Sequence, residues 1–321
     1  MIRLSGITPS GEMHLGNYLG AVRRWAAESG PEDLYFVSNL HAMTTHHEPA
    51  TLRRLTRHQL AVMIAAGVPG DAVFVQSDLI NEHMALTWLL ECTCTFGEAR
   101  RMVQFKEKSD GRESVRLGLL TYPVLMASDI LLHGAAEVPV GNDQNQHVEL
   151  ARTLARRFNA NYGDAFVVPR GVLPETAARV RDLTVPEKKM SKSASDVGGI
   201  IYVLDEPDTI RRKLRRAVTD GMADVRYAPD EQPGVANLLE IVAACTDTSP
   251  TAVADGIDSY RDLKEAAAEA VIAELGPVRE RALDLLAGGG ELDKIRSAGA
   301  ERARDRSRDR LANALHLAGV D

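Results

Sequence analysis

The first twenty-five residues carry the strongest limit on the fold. Ile2 to Ile7 is a short apolar run that breaks at Thr8-Pro9-Ser10-Gly11. It then gives way to Leu15, Tyr18, Leu19, Val22 and Trp25 at helical spacing. A strand feeding a turn and then a helix is the first unit of an α/β sheet. The pattern recurs. Asp33–Val37 and Ala72–Gln76 are apolar and β-rich. Between them, Pro49–Ala66 spaces Leu52, Leu55, Leu60, Met63 and Ile64 as a helix closed by Gly67. Strand, helix, strand, helix, strand in that order predicts right-handed parallel crossovers and a doubly wound, Rossmann-like parallel sheet. Glu137–Val140 is a further short strand, running into Gly141-Asn142-Asp143-Gln144 and a helix through Phe158. Ligands of such sheets bind at the carboxyl ends of the strands.

The character changes at Asp205. Pro207–Val218, Asn237–Cys245, Tyr260–Leu286 and Glu291–Leu317 read as helices, with Gly276-Pro277 interrupting the third. No strand pattern follows Leu204, so residues 205–321 are expected to form an all-α domain after a catalytic domain at 1–204. With 321 residues and 45% hydrophobic content, the chain can bury a core in each. No apolar run is long enough for a membrane span, and the start lacks the pattern of a signal peptide. Three cysteines, Cys92, Cys94 and Cys245, fit reduced thiols in a cytoplasmic protein. The formal net charge of −7 argues against indiscriminate nucleic-acid binding, while local basic patches remain available.

Three places carry chemistry. The helix that follows the first strand presents free N–H groups and a positive dipole end, with His14, Gly16 and Asn17 at its start. There Gly16 permits close approach and His14 can donate to phosphate oxygens. Lys189-Met190-Ser191-Lys192-Ser193 brings two lysines and two hydroxyls into five residues of loop, a composition suited to a polyphosphate. Asp129 sits within the almost wholly apolar run Leu119–Leu132 (LLTYPVLMASDILL). A buried carboxylate without a partner is costly or is forced to protonate, so Asp129 requires one. That partner is either a structural donor of the protein or a substrate N–H. Met102–Gly111 is expected to end a helical segment in a charged loop that includes Lys106 and Lys108. Of His41, His46 and His47, His41 is best placed to line a pocket at a strand end. No supporting carboxylate or cysteine spacing favours a metal site there, and Cys92-x-Cys94 in a helix does not share a face.

His14-x-Gly16-Asn17 resembles the HIGH signature of class I aminoacyl-tRNA synthetases, and Lys189–Ser193 matches their KMSKS signature letter for letter. Ser5-Gly6-Ile7-x-Pro9-Ser10-Gly11, Gln104–Lys108 (QFKEK), Leu119–Leu132 and Val138-Pro139-Val140-Gly141-x-Asp143-Gln144 extend the likeness. Together they resemble the tryptophanyl-tRNA synthetases of the bacterial type over roughly the first two thirds of the chain. The resemblance implies that tryptophan attacks the α-phosphate of ATP. Tryptophanyl-adenylate and pyrophosphate result, and the 2′-hydroxyl of the terminal adenosine of tRNA(Trp) then takes the amino acid. It implies Asp129 as acceptor for the indole N–H, and an indole pocket of Leu4, Met126, Val138 and Val140, with His41 beside it. Tyr122 and Gln144 fall where the family holds the amino end. Thr8, Pro9, Ser10, Gly16, Asn17, Gly141, Asn142, Asp143, Val180 and Lys189–Ser193 match ATP-holding positions. Lys189, Lys192, Ser191, Lys108 and His14 are the implied catalytic groups, with Mg²⁺ accompanying ATP and no protein-ligated metal. The family further implies a homodimer formed through an insertion at about 78–135, and an anticodon-binding helical domain. Position 8 departs from the pattern: Thr8 stands where bacterial members usually carry a longer polar side chain such as Gln. In the helical domain, Arg211 and Arg212, and the alternating Arg/Asp run at 302–310, are candidates for tRNA phosphates. A solvated helix face is the competing reading of the second.

Two other functions share these features. A tyrosine-specific ligase is opposed by Asp129 in its apolar context. A non-charging relative that binds tryptophan or adenylate as a sensor is opposed by the intact Lys189–Ser193 loop and the complete helical third.

Overall fold

The computed structural model describes residues 2–110, 114–141, 144–172, 180–191, 197–222 and 224–321, apart from the side chain of Lys108. Strands β1 (Leu4–Ile7), β2 (Leu34–Val37) and β3 (Val73–Val75) pair in parallel in the order β1-β2-β3. β4 (Glu137–Pro139) and β5 (Arg170–Val172) form a second parallel pair. A parallel bridge from Arg3 to Glu137 joins the two pieces, and the Ala136 N–H donates to the Ile2 carbonyl at 3.1 Å. The combined order is β3-β2-β1-β4-β5. The order reverses between β1 and β4, and that crevice is where a doubly wound sheet takes its ligand.

Alternation along the strands sends side chains to two cores. Ile7, Tyr35, Val37, Val73 and Val75 join one apolar cluster, while Leu4, Leu34, Phe36 and Phe74 join the other. Both sheet faces are therefore covered, as parallel sheets require. α3 (Pro49–Ala65) covers the first face together with α10 (Pro233–Thr246) and α12 (Tyr260–Ala287). α4 (Ile80–Thr93), α7 (Leu117–Leu132) and α8 (Asn145–Tyr162) cover the second. The first helical run is α1 (Leu15–Asn17), a π turn (Tyr18–Val22) and α2 (Arg23–Glu28). α5 (Phe96–Arg100) opens with a Thr95/Glu98 capping box, in which each residue satisfies a backbone N–H of the other. The remaining helices are α6 (Val103–Ser109), α9 (Pro207–Arg215), α11 (Pro250–Ala254) and α13 (Glu291–Ala318). Among the described residues no named strand follows β5.

Three local expectations are corrected. Gln104–Lys108 lies in α6 rather than in a loop, and the Val103 N–H at its start donates to Gln146 Oε1 at 2.8 Å. Gly276-Pro277 does not interrupt α12. Proline in a helix interior costs about 3 kcal/mol, but Leu275, Val278, Ala282 and Leu285 bury the same helix in the core and offset that. Four of the five arginines in the 302–310 run turn to partners elsewhere in the protein, while Asp305, Arg308 and Asp309 stay exposed as a solvated edge. Arg302 pairs with Asp71 and Arg306 with Glu32. Arg304 reaches Glu82 at 2.9 Å, and Arg310 donates to the Leu132 carbonyl at 2.8 Å. Along the same helix, Arg296 pairs with Asp78. At Gly299, α13 comes so close to β3 that a Cβ would stand 1.8 Å from the Val73 carbonyl oxygen.

Candidate active site

A cleft of about 630 Å³ opens at the β1/β4 crevice. β1 and the turn after it contribute Leu4 to Thr8 and Ser10, the first helix Asn17, and the edge of β4 Val138, Val140 and Gly141. α7 contributes Tyr122, Met126 and Asp129, and the turn His41–Thr44 contributes His41. All eight residues expected around the indole and the amino end therefore line one cavity: Leu4, His41, Tyr122, Met126, Asp129, Val138, Val140 and Gln144.

Asp129 is the electrostatic centre of this cavity. It is 1% exposed. His41 Nε2 lies 2.7 Å from Oδ2, and Gln76 Nε2 donates to Oδ1 at 2.7 Å. His83 Nδ1 is 3.1 Å from Oδ1, within ion-pair distance but without hydrogen-bond alignment. Burial alone would raise the carboxyl; His41 and then His83 outweigh it and hold Asp129 well below the usual carboxylate range. The group is thus an ionised, acceptor-only carboxylate in the wall of the cleft. Behind it, His83 and His133 are buried with ring centroids 5.6 Å apart, and both flank Phe74. Burial, reinforced by His83, lowers the His133 imidazole to about 3, so it stays neutral.

Tyr122 is held from two sides. Its hydroxyl donates to Gln104 Oε1 at 2.8 Å and lies 2.8 Å from His147 Nε2. At the other end of the cleft, Thr8 Oγ1 is 2.9 Å from Ser38 Oγ. Gln59, buried in α3, donates through Nε2 to the Gly11 carbonyl at 3.0 Å and to that of Thr8 at 3.3 Å. The turn after β1 is therefore pinned by one amide.

The expected ATP residues divide. Thr8, Ser10, Asn17, Gly141 and Lys189 line the cleft. Lys189 bridges to Arg181 through its backbone, and the next residue, Met190, is buried in the core; alternation leaves the lysine exposed. Met190 and Val180 are core residues, and the Met190 N–H donates to the Val180 carbonyl at 3.1 Å. Pro9 is buried outside the wall. His14 is 2% exposed, and its Nδ1 accepts from the Asn17 N–H at 3.2 Å, capping α1. Its ring lies 3.2 Å from where a Cβ on Gly16 would stand, which explains the glycine without a ligand. Ser191 is half-buried and not part of the wall. Lys192, Ser193, Asn142, Asp143 and the side chain of Lys108 lie outside the described residues. Arg211 pairs with Asp208, and Arg212 donates to Thr209 Oγ1, on the exposed face of α9, whose other face buries Ile210 and Leu214. Sequence reading missed Gln76, His83, Ser38 and Gln59. Each is a polar residue in or beside a regular element, and no local pattern separates it from a surface one.

Residues 1–276 match the model of the tRNA synthetases class I (W and Y). A Streptomyces coelicolor relative named tryptophan–tRNA ligase 1 is 53% identical over 325 residues, covering 98% of this chain and 96% of that protein. The tryptophanyl-tRNA synthetase structure from Mycoplasma pneumoniae matches at TM-score 0.89 and 33% identity, covering 100% of this chain and 98% of that one. The Campylobacter jejuni enzyme, solved with ADP and tryptophane, matches at 0.86 and 29% identity, over 99% of this chain and 100% of that one. The strand order, the cleft at its reversal and these matches together make the chain a member of the class I tRNA synthetase family of the tryptophan and tyrosine enzymes.

Proposed function

We propose that the chain is a tryptophan–tRNA ligase that forms tryptophanyl-adenylate from L-tryptophan and ATP and passes the amino acid to tRNA(Trp). One observation carries the choice of amino acid: Asp129, buried and ionised, stands in the cleft wall with Leu4, Met126, Val138 and Val140. An indole offers one N–H and no acceptor, which is what such a carboxylate needs. His41 and Gln76 already engage one oxygen each, so a ring without a donor leaves only the remaining acceptor directions of the buried carboxylate unmet; sites built to bond a substrate N–H reject such rings by roughly 10⁴ or more.

In this reading Leu4, Met126, Val138 and Val140 enclose the ring, and Tyr122 and Gln144 hold the amino end. Thr8, Ser10, Asn17 and Gly141 receive the nucleotide. Lys189, with Lys192, Lys108 and the hydroxyls of Ser191 and Ser193, supplies charge and donors to the phosphoryl oxygens. Displacement at phosphorus needs no covalent nucleophile; it is helped by positioning and by positive charge. His14 acts here as the cap that fixes Asn17. In this reading Mg²⁺ accompanies ATP as part of the substrate. The 2′-hydroxyl of the terminal adenosine then takes the tryptophanyl group.

Residues 1–204 are the catalytic unit in this reading, and 205–321 the helical unit that meets the anticodon. Arg211 and Arg212 are its candidate phosphate contacts. The segment at about 78–135 joins two copies. Trp88 and Leu117 are 66% and 72% exposed, and with Met84 and Phe96 they give α4, α5 and α7 an apolar outer face. A second copy of the chain is the occupant that family membership favours. Free cysteines and the absence of any described helix able to cross a membrane accord with a cytoplasmic location.

ATP–pyrophosphate exchange across the twenty amino acids, followed by charging of total tRNA, tests the reading. Exchange with tryptophan and charging of one tRNA are expected. Exchange without charging would favour an adenylate-forming sensor, and exchange with tyrosine would favour the sister specificity.

A further inference from the structure

The acceptor of the cleft is held by a residue outside its wall. Gln76 follows β3 and is fully buried. Its amide direction is fixed by its partners: Oε1 accepts from the Leu40 N–H at 3.0 Å, and Nε2 donates to Asp129 Oδ1 at 2.7 Å. Leu40 immediately precedes the turn that carries His41, and His41 Nε2 lies 2.7 Å from the other carboxylate oxygen. Carboxylate, glutamine and turn form a closed circuit. If the glutamine goes, the Leu40 N–H loses its acceptor, Oδ1 loses a charge-assisted hydrogen bond, and the support of the His41 turn loosens.

The circuit matters because of what recognition by a single donor demands. A carboxylate has about four lone-pair directions. Here the protein occupies both oxygens, so the direction left for a ligand is set by the rotation of the group. That rotation is locked only while each oxygen keeps its donor. His83 Nδ1, at 3.1 Å and misaligned, cannot replace the glutamine in its present orientation.

We propose that Gln76 is a positioning residue for amino-acid selection, fixing the rotation of the Asp129 carboxylate and the seat of His41 so that the pocket favours a ring bearing one N–H. The proposal rests on the tryptophan-ligase reading and names a determinant of its specificity.

Two substitutions separate this role from a structural one. Gln76→Met removes both hydrogen bonds at similar volume. Gln76→Leu removes them with a second apolar side chain of different branching, and so acts as an independent replacement. Each variant is assayed by ATP–pyrophosphate exchange with tryptophan and with 3-(benzothiophen-3-yl)alanine, which has the same shape but sulfur in place of the N–H. Hydrogen bonds to charged groups contribute enough that losing one should cost about tenfold or more. The expected result is that rise in KM for tryptophan in both variants, with kcat changed less and the analogue's constants within about twofold of the unaltered protein. The selectivity between the two ligands then collapses. Parallel losses for both ligands would assign Gln76 a structural role and overturn the proposal, as would unchanged selectivity. Should Gln76→Met not fold, the Gln76→Leu comparison decides alone. Absence of tryptophan-dependent exchange in the unaltered protein would overturn the ligase reading and the proposal with it. Normal exchange with unaltered selectivity in the variants would overturn the role of Gln76 only.

Discussion

Arg304 Nε donates to Glu82 Oε1 at 2.9 Å, a contact between residues 222 positions apart. Glu82 stands next to His83 in the first turn of α4, so the C-terminal helix grips the element that backs Asp129. Arg296 grips Asp78 just before α4, and Arg310 holds the carbonyl of Leu132 at the end of α7. The helix α13 is thus an electrostatic strap across α7, which lines the cleft, and α4, whose His83 lies behind Asp129.

The strap predicts a graded loss of stability. Partly exposed ion pairs contribute about 0–1 kcal/mol each and are screened by salt. Arg296→Ala combined with Arg304→Ala should therefore lower unfolding stability by roughly 1–2 kcal/mol at low salt and by less at high salt. Urea unfolding at two ionic strengths checks this. Equal losses at both would show that the arginines act through their stems. Gly299→Val should cost more, about 3 kcal/mol, because the helix must back away from the Val73 carbonyl.

Acid should loosen the fold through His133. Its pKa is lowered to about 3 in the folded chain, by burial and then by His83, while an unfolded histidine titrates near 6.5. Below pH 6.5 the unfolded chain takes up a proton that the folded one refuses. The contribution of His133 is therefore intact above pH 6.5 and is lost as pH falls towards 3, by at most about 1.4 kcal/mol per pH unit. His133→Phe should flatten the decline between pH 6.5 and 4.5 in a denaturation series. An unchanged slope would show that His133 is protonated in the folded state.

The apolar outer face of α4 and α7 should hold two copies together. Trp88→Asp is expected to convert a dimer into a monomer in sedimentation velocity at micromolar concentration, since a charge there is desolvated only in the dimer. A dimer that survives the change would place the interface elsewhere.

How far the sequence went can be judged residue by residue. Asp129 was legible because a carboxylate inside Leu119–Leu132 must find a donor, and no surface reading suits it. The parallel, doubly wound class of the sheet followed from strand–helix alternation, whose period is local; the strand order did not. Lys189 was legible by composition, and its exposure follows from Met190 turning inward. Gln76 was not legible: a glutamine after a strand reads as a turn residue until Leu40 and Asp129 are seen beside it. The arginines of α13 alternate with acidic residues, which reads as a solvated face; their partners Asp71, Asp78 and Glu82 are more than 200 residues away. Pro277 looked like a break because local rules price its missing N–H and cannot price the core beneath it.

The central claim is that this family member selects tryptophan through Asp129. The most direct measurement is kcat/KM in ATP–pyrophosphate exchange for tryptophan, tyrosine and phenylalanine, in the unaltered protein and in Asp129→Ala. The account predicts a preference for tryptophan of roughly 10⁴ or more that shrinks by orders of magnitude in the variant, through loss of the tryptophan reaction. A preference that survives in Asp129→Ala, or comparable rates with tyrosine in the unaltered protein, would contradict it.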